Sequence, residues 1–99
     1  MSYKSANSPT TASWTFLTNY THVLVVLSRD PTSRIRDIAD EVGITQRAVQ
    51  RILAELIDDE VLRVTKNGRR NEYRINRRKR LKHSLEAGKS VGDLLDLIS

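Results

Sequence analysis

The sequence predicts a mainly α-helical domain with one small β-hairpin. Apolar residues recur every three to four positions in four segments, and in one further segment they alternate around a glycine. Aromatic residues are few, with one Trp, one Phe and three Tyr, which suits a thin helical core. Ninety-nine residues are enough for one such core. The predicted order is three helices, the hairpin and a C-terminal helix.

The first two helices are predicted from their apolar faces and from the residues that bound them. In "WTFLTNYTHVLVVLSRD" the apolar face comprises Phe16, Leu17, Tyr20, Val23, Leu24 and Leu27. Pro31 disfavours helix at the residue before it and so ends this segment. In "SRIRDIADEVG" Ser33 is the predicted N-cap, and Gly43 is free to adopt the left-handed conformation that ends a helix.

The second and third predicted helices have the pattern of a helix-turn-helix. The third begins at Thr45, a predicted N-cap, and extends to residue 58, with Val49, Ile52, Leu53 and Leu56 on its inner face. Two helices can cross closely over a short turn under three conditions. The first helix needs a small residue where the second crosses it, the turn needs a residue that tolerates positive φ, and apolar side chains must face inward from the turn and from the second helix. The residues that meet these needs are Ala39, Gly43, Ile44 and Val49.

The outward face of the third helix carries side chains suited to reading DNA. Successive residues are rotated by about 100° around a helix axis. Arg47 and Arg51 therefore lie opposite the apolar face, and Gln46 and Gln50 lie beside them. Arginine binds guanine and glutamine binds adenine through paired hydrogen bonds in the major groove. The competing interpretation is an ordinary solvated helix face.

A β-hairpin follows in "VLRVTKNGRRNEYRIN". A four-residue tip, Asn67–Arg70, pairs Val64 with Tyr73 and Leu62 with Ile75, whereas a two-residue Asn67–Gly68 turn breaks this apolar match. The hairpin completes a winged helix-turn-helix, with a wing over residues 65–72 that lies on the phosphate backbone or in the minor groove. The alternative is a tip kept charged to prevent edge-to-edge aggregation.

The distribution of charge favours a polyanionic partner. The net charge is +5, yet residues 44–83 contain twelve basic and five acidic side chains, while residues 1–43 are balanced. The run Arg77–Lys82 either tracks phosphates beyond the wing or forms a solvated linker. The predicted DNA-binding residues are Arg34, Thr45, Gln46, Arg47, Gln50, Arg51, Lys66, Arg69, Arg70, Arg77 and Arg78.

The C-terminal segment is predicted to form a helix that covers the core or pairs two chains. Ser90 and Asp93 match a capping box. Both termini contain apolar residues that would cover the protomer or meet across a two-fold axis, and the predicted dimer residues are Trp14, Phe16, Leu17, Leu94, Leu95, Leu97 and Ile98. The predicted organisation is a disordered tail over 1–13, a DNA-binding domain with its basic tract over 14–83, and the C-terminal helix over 84–99.

Several kinds of site and location are not expected. The chain has no cysteine, and His22 and His83 lie on different segments, so neither a metal site nor a bound cofactor is predicted. No arrangement of nucleophile and base points to an enzyme. The longest apolar run, Val23–Leu27, is too short to span a membrane, and no signal peptide is evident. These features predict a cytoplasmic protein.

Four segments resemble a known group of proteins. "WTFLTNYTHVL", "RDIADEVGITQRAVQRI", "GRRNEYR" and "VGDLL" are similar to the corresponding segments of short bacterial and archaeal winged-helix regulators of the MarR/ArsR-like grouping. The resemblance covers residues 14–99 and implies a cytoplasmic, dimeric regulator that binds double-stranded DNA. Such proteins commonly have Gly where Glu60 stands. Because positive φ costs a residue with a side chain on the order of 1 kcal/mol, the third helix is expected to end differently here.

The sequence therefore predicts a sequence-specific, double-stranded-DNA-binding transcriptional regulator. Two alternatives stay open: a winged helix that serves as a protein-interaction module in a larger assembly, and a non-specific architectural DNA-binding protein. RNA binding is less favoured because no exposed stacking aromatics accompany the basic region.

Overall fold

The computed structural model describes residues 14–98, and the predicted tail over 1–13 lies outside them. These residues form four α-helices and a two-stranded antiparallel hairpin. The elements are α1 (Asn19–Arg29), α2 (Ile35–Val42), α3 (Gln46–Asp58), β1 (Leu62–Asn67), β2 (Arg70–Ile75), a 3-10 turn (Ser84–Glu86) and α4 (Val91–Ile98). The predicted winged helix-turn-helix fold is confirmed.

Helix α1 is the central helix of the core, and it begins later than expected. Phe16, predicted on its inner face, is 91% exposed because the helix starts only at Asn19, after an extended Thr18. Five consecutive side chains, Val23–Leu27, are buried, so α1 is enclosed around most of its circumference. It contacts α2, α3, α4 and β2, which explains why this helix is apolar on more than one face.

The turn between α2 and α3 has the predicted geometry. Gly43 has φ +86° and ψ +35°, and its amide and that of Ile44 both donate to the Ala39 carbonyl, at 2.8 and 3.1 Å. A Cβ atom at this φ would be strained, which is why glycine is needed here. The Thr45 hydroxyl then accepts from the Ala48 amide at 3.0 Å and caps α3 as predicted.

The predicted N-cap of α2 is wrong. Arg34 occupies that position and makes no side-chain capping bond, while the Ser33 hydroxyl donates to the Asp30 carbonyl at 2.8 Å. The Asp30 carboxylate in turn accepts from the amide and hydroxyl of Thr32, at 3.1 and 2.9 Å. Ser33 is therefore part of the turn after α1. Its hydroxyl closes that turn by binding a backbone carbonyl, and so it does not cap α2.

Helix α3 ends in a left-handed residue despite the absence of glycine, contrary to the expectation from sequence. Glu60 has φ +64°, its amide donates to the Ile57 carbonyl at 3.0 Å, and the Val61 amide donates to the Leu56 carbonyl at 2.9 Å. This pair of bonds is a Schellman motif, and Val61 and Leu56 are both buried beside it. The two bonds and the apolar contact offset the cost of positive φ.

Glu60→Gly is expected to raise the free energy of unfolding by roughly 0.5–1 kcal/mol, because glycine adopts positive φ without strain. The greater entropy of glycine in the unfolded chain offsets part of this stabilisation. Urea unfolding monitored by circular dichroism measures this. The matched control is Ala54→Gly in the exposed middle of α3, which should lower stability by about 1 kcal/mol. A loss of stability in Glu60→Gly would show that the Glu60 side chain contributes more than its backbone strain costs.

The hairpin has the predicted register and a shorter tip. Val64 pairs with Tyr73, as expected, but the ladder continues to a pair between Asn67 and Arg70. The turn is therefore two residues long, Gly68 and Arg69, with Gly68 at φ +67°. Glycine first in a two-residue turn is typical of the II′ hairpin, whose twist matches that of the strands.

The C-terminal segment is helical over only half of its predicted range. Residues 84–86 form a 3-10 turn, and α4 begins at Val91. The predicted capping box is present: the Asp93 carboxylate accepts from the Ser90 amide at 3.0 Å, and the Ser90 hydroxyl accepts from the Asp93 amide at 3.1 Å. This cap fixes the start of α4, whose buried residue Leu95 closes the core.

Stability is expected to depend on pH through Asp93. The Ser90 backbone and side-chain hydrogen bonds hold the pKa of its carboxyl below the ordinary value of 3.8. Because the pKa is lower in the folded state, the ionised carboxylate stabilises the fold fully above about pH 3.8. This stabilisation is lost as the pH falls through the folded-state pKa. Asp93→Asn should therefore be less stable than the native chain at pH 7, and the difference should shrink in more acidic solution.

Thermal unfolding of both proteins between pH 7 and pH 2.5 measures this dependence. Asp40→Asn is the matched control, since Asp40 is an exposed carboxylate of α2 with no side-chain hydrogen bond within residues 14–98. An undiminished Asp93→Asn defect at the acid end would exclude the carboxylate as its cause.

Candidate nucleic-acid interface

Helix α3 turns one face into the core and the other outward. Its inner residues, Val49, Ile52, Leu53 and Leu56, are all buried. The outward residues predicted to read DNA, Gln46, Arg47, Gln50 and Arg51, are all exposed. Thr45 lies at the N-cap, and Arg34 is exposed at the N-cap of α2.

Three of the outward side chains have no partner in the part of the chain that the structure describes. Within residues 14–98, Gln46, Arg47 and Gln50 make no side-chain hydrogen bond or ion pair. They lie one to four positions apart in the first turns of α3, so the three side chains share one patch of the helix surface. Among the described residues, none occupies the donors and acceptors of these amide and guanidinium groups.

Arg51 differs from its neighbours because it is tied to another helix. Its Nη1 donates to the Tyr20 hydroxyl of α1 at 3.2 Å and lies 3.4 Å from the Glu55 carboxylate. The Tyr20 hydroxyl donates to the same Glu55 oxygen. The three side chains thus form a closed hydrogen-bonded group at the edge of the outward face.

The wing combines exposed basic side chains with residues that anchor it to the rest of the domain. Lys66 and Arg69 are exposed, with no side-chain partner within the described part of the chain. Arg70, by contrast, donates to the Thr32 carbonyl at 3.0 Å and fastens the hairpin to the loop between α1 and α2. The Tyr73 amide donates to the Pro31 carbonyl at 2.9 Å in the same loop. The hairpin therefore has a fixed position relative to α3.

The basic run after the hairpin is mostly engaged within the protein. Arg77 donates to the Asp96 carboxylate at 2.5 Å and to the Gly92 carbonyl at 3.2 Å, which joins the end of the wing to α4. Arg80 donates to the Gly88 carbonyl at 3.1 Å. Arg78, also in the predicted DNA-binding set, is exposed without a side-chain partner in residues 14–98. Much of this run thus serves as a structural link.

An ion pair at the end of the same run ties it to α3. Lys82 lies 2.6 Å from the Asp59 carboxylate. This hydrogen bond holds the pKa of Asp59 below its ordinary value and raises the pKa of Lys82. Because its charge is paired with the Asp59 carboxylate, Lys82 adds less to the positive field of the run than its unpaired neighbour Arg78.

Two basic residues that the sequence reasoning did not single out are brought together by the hairpin register. Arg63 is paired directly with Arg74, and neither has an acidic partner among residues 14–98. Like charges opposite each other destabilise a ladder unless something else compensates. The pair therefore concentrates positive charge on one face of the hairpin. The signal was available in the predicted register, which already placed these two residues opposite each other.

The predicted dimer residues divide into exposed and buried groups. Phe16 and Leu97 are 91% and 84% exposed, and Trp14 packs edge-on against Phe16 with ring centroids 4.8 Å apart. The remaining exposed or half-buried members are Leu17, Leu94 and Ile98. Leu95 does not fit the predicted dimer interface, because its side chain is 0% exposed within the protomer. It faces the core, where a second chain has no access to it.

Residues 14–98 have neither a metal-binding cluster nor a membrane-spanning helix. No group of three or more histidine or carboxylate side chains there is arranged to hold a metal ion. No helix in that range is long and apolar enough to cross a membrane.

A comparison with known protein families found a match to the central part of the chain. A family model described as winged helix-turn-helix DNA-binding matches residues 21–63. The matched range runs from α1 through α2 and α3 into β1, so it contains the whole helix-turn-helix and the start of the wing. No curated protein and no solved structure matched the chain. The family match supports DNA binding as the activity of this fold.

Proposed function

We propose that this winged helix-turn-helix chain is a sequence-specific regulator of transcription that reads the major groove of double-stranded DNA with α3. The observation that carries the proposal is the patch formed by Gln46, Arg47 and Gln50, which is exposed and has no internal partner among residues 14–98. Arginine and glutamine match the hydrogen-bonding edges of guanine and adenine. The patch directly follows the glycine turn that sets the angle of α3.

The wing and the basic hairpin face supply affinity that does not depend on sequence. Lys66 and Arg69 at the tip, together with Arg63 and Arg74, which have no acidic partner among residues 14–98, would contact phosphates. Each neutralised phosphate releases counterions, so such contacts make affinity fall steeply with salt. In this division of roles the wing sets the strength of binding and α3 sets its sequence preference.

The active form in this proposal is a homodimer. Phe16 and Leu97 leave large apolar side chains in water at the two ends of the described chain, as expected for residues that meet a second copy. A two-fold axis would present two α3 helices to sites about 34–36 Å apart on one face of the duplex. The resemblance to MarR/ArsR-like regulators supports the same assembly, as well as a cytoplasmic location. Residues 14–83 would then bind DNA, and residues 84–99 would serve the core and the dimer.

The proposal is tested by fluorescence anisotropy. The purified chain is titrated at about 0.15 M salt into the duplex upstream of its own gene and into a scrambled duplex of equal length. Binding the native duplex roughly tenfold or more tightly supports a sequence-specific regulator. Equal affinity for both, and for duplexes from other promoters, would make the chain a non-specific architectural protein. Absence of binding would favour the protein-interaction module.

A further inference from the structure

Arg51 is held in one orientation by a group on a different helix. Tyr20 belongs to α1, its ring packs against the core, and its hydroxyl contacts both Arg51 and Glu55 of α3. A tyrosine side chain has only two rotatable bonds, so packing of the ring fixes the position of its hydroxyl. The Tyr20 hydroxyl is therefore a fixed point from which the flexible Arg51 side chain is oriented.

The contacts use only one of the guanidinium nitrogens. Nη1 makes both hydrogen bonds, while Nη2 and Nε have no partner within residues 14–98, and the Arg51 side chain is 58% exposed. A guanidinium has five N–H donors in a rigid plane, and two of them on one edge are enough to bind guanine O6 and N7. The held arginine thus keeps a complete edge for a base.

The ion pair between Arg51 and Glu55 also favours a role in base recognition over a role in attracting phosphates. Arg51 and Glu55 form an ion pair, so together they add little to the field that attracts phosphates. An arginine that served mainly to bind the backbone would work better without a neighbouring carboxylate. Pairing removes net charge but leaves directed donors, which is what base recognition needs.

We propose that Tyr20 and Glu55 are positioning residues that orient Arg51 for a bidentate contact with one base pair, so that Tyr20 helps to determine specificity from outside the reading helix. This inference rests on the proposed function. It adds α1 to the recognition machinery, because a side chain that touches no DNA would control what α3 reads.

The test compares discrimination, non-specific affinity and salt dependence in variants of the full chain. A panel of duplexes, each with one base pair of the preferred site changed, gives the affinity ratio at every position. Arg51→Lys keeps the charge but lacks the planar fork, so it should lose about 5- to 150-fold discrimination at its base pair. Tyr20→Phe changes no charge and removes only the shared hydroxyl. It should lose about 2- to 10-fold at the same base pair, with an unchanged salt slope.

Tyr73→Phe is the matched control, since Tyr73 is a buried tyrosine of the hairpin whose hydroxyl accepts from Asn71 and makes no hydrogen bond to Arg51 or Glu55 among residues 14–98. Its discrimination should equal that of the native chain. Glu55→Gln gives a second test that does not depend on the tyrosine: it should lose discrimination at the same base pair and gain non-specific affinity, because Arg51 is no longer neutralised.

The outcomes separate this inference from the function on which it rests. Discrimination that survives in Tyr20→Phe and Glu55→Gln but falls in Arg51→Lys would overturn the positioning role and leave the proposed function intact. Discrimination that survives in all three would show that Arg51 does not read a base, which also overturns the inference. A native chain that does not distinguish duplexes at all would overturn both.

Discussion

Leu95→Ala is expected to lower the free energy of unfolding by about 2–5 kcal/mol, the usual cost of truncating a fully buried leucine. Leu95 is 0% exposed and lies with the residues of α1 in one apolar cluster. Small domains are stabilised by only about 5–15 kcal/mol in total, so this loss is a large share. The melting temperature should fall by more than about 8 °C.

Leu97→Ala is the matched comparison, because the same substitution is made two residues away at a side chain that is 84% exposed. The stability of the protomer should change by no more than about 0.5 kcal/mol. If Leu97 lies in the proposed dimer interface, sedimentation should instead show weaker self-association. Urea unfolding at several protein concentrations separates the two effects, since only a dimer makes the midpoint depend on concentration.

A contrary result would restore the interpretation made from sequence. If both variants weakened self-association equally and Leu95→Ala barely changed the stability of dilute protein, Leu95 would be an interface residue.

Arg47→Ala is expected to reduce affinity for the preferred duplex by about 5- to 150-fold and to remove the preference at one base pair. Arg47 is exposed near the N-terminus of α3 and has no internal partner within residues 14–98, so truncation removes a potential base contact without leaving an unpaired group inside the protein. Gln50→Ala should erode the preference at a neighbouring base pair for the same reason.

Arg69→Ala should behave differently, because Arg69 lies in the two-residue turn at the tip of the wing. Its loss should weaken binding to every duplex by a similar factor and reduce the slope of log affinity against log salt by about one. Lys89→Ala, which removes one positive charge from the segment before α4, should leave the preference unchanged. If Arg47→Ala flattened the salt slope while Arg69→Ala erased the sequence preference, the roles given to α3 and the wing would be reversed.

The parts of the fold that were predicted correctly depend on near neighbours in the sequence. The turn at Gly43, the cap at Thr45 and the capping box of Ser90 and Asp93 each involve residues within five positions of one another. The hairpin register followed from matching apolar side chains on one face, and Val64 pairs with Tyr73 as expected. Short-range geometry and apolar periodicity were sufficient for these features.

Some local predictions failed because two local solutions competed. The Ser33 hydroxyl suited a helix cap but closes the turn after α1 instead. Glu60 has no intrinsic preference for positive φ, yet the bonds and buried contact at the end of α3 hold it there. In both cases the sequence offered a preference, and contacts that form only in the folded chain outweighed it.

The sequence by itself determined the class of fold, the glycine turn, the exposed polar face of α3 and the basic character of the wing, because repeating patterns and short spacings encode them. Only the tertiary structure decided which basic side chains are held by other residues of the protein. Arg51, Arg70 and Arg77 are held by Tyr20, Thr32 and Asp96, which are 31, 38 and 19 residues away along the chain. Likewise, only packing distinguishes buried Leu95 from exposed Leu97. The physical reason is that a long side chain binds the partner that folding brings near it, and that partner lies on another element.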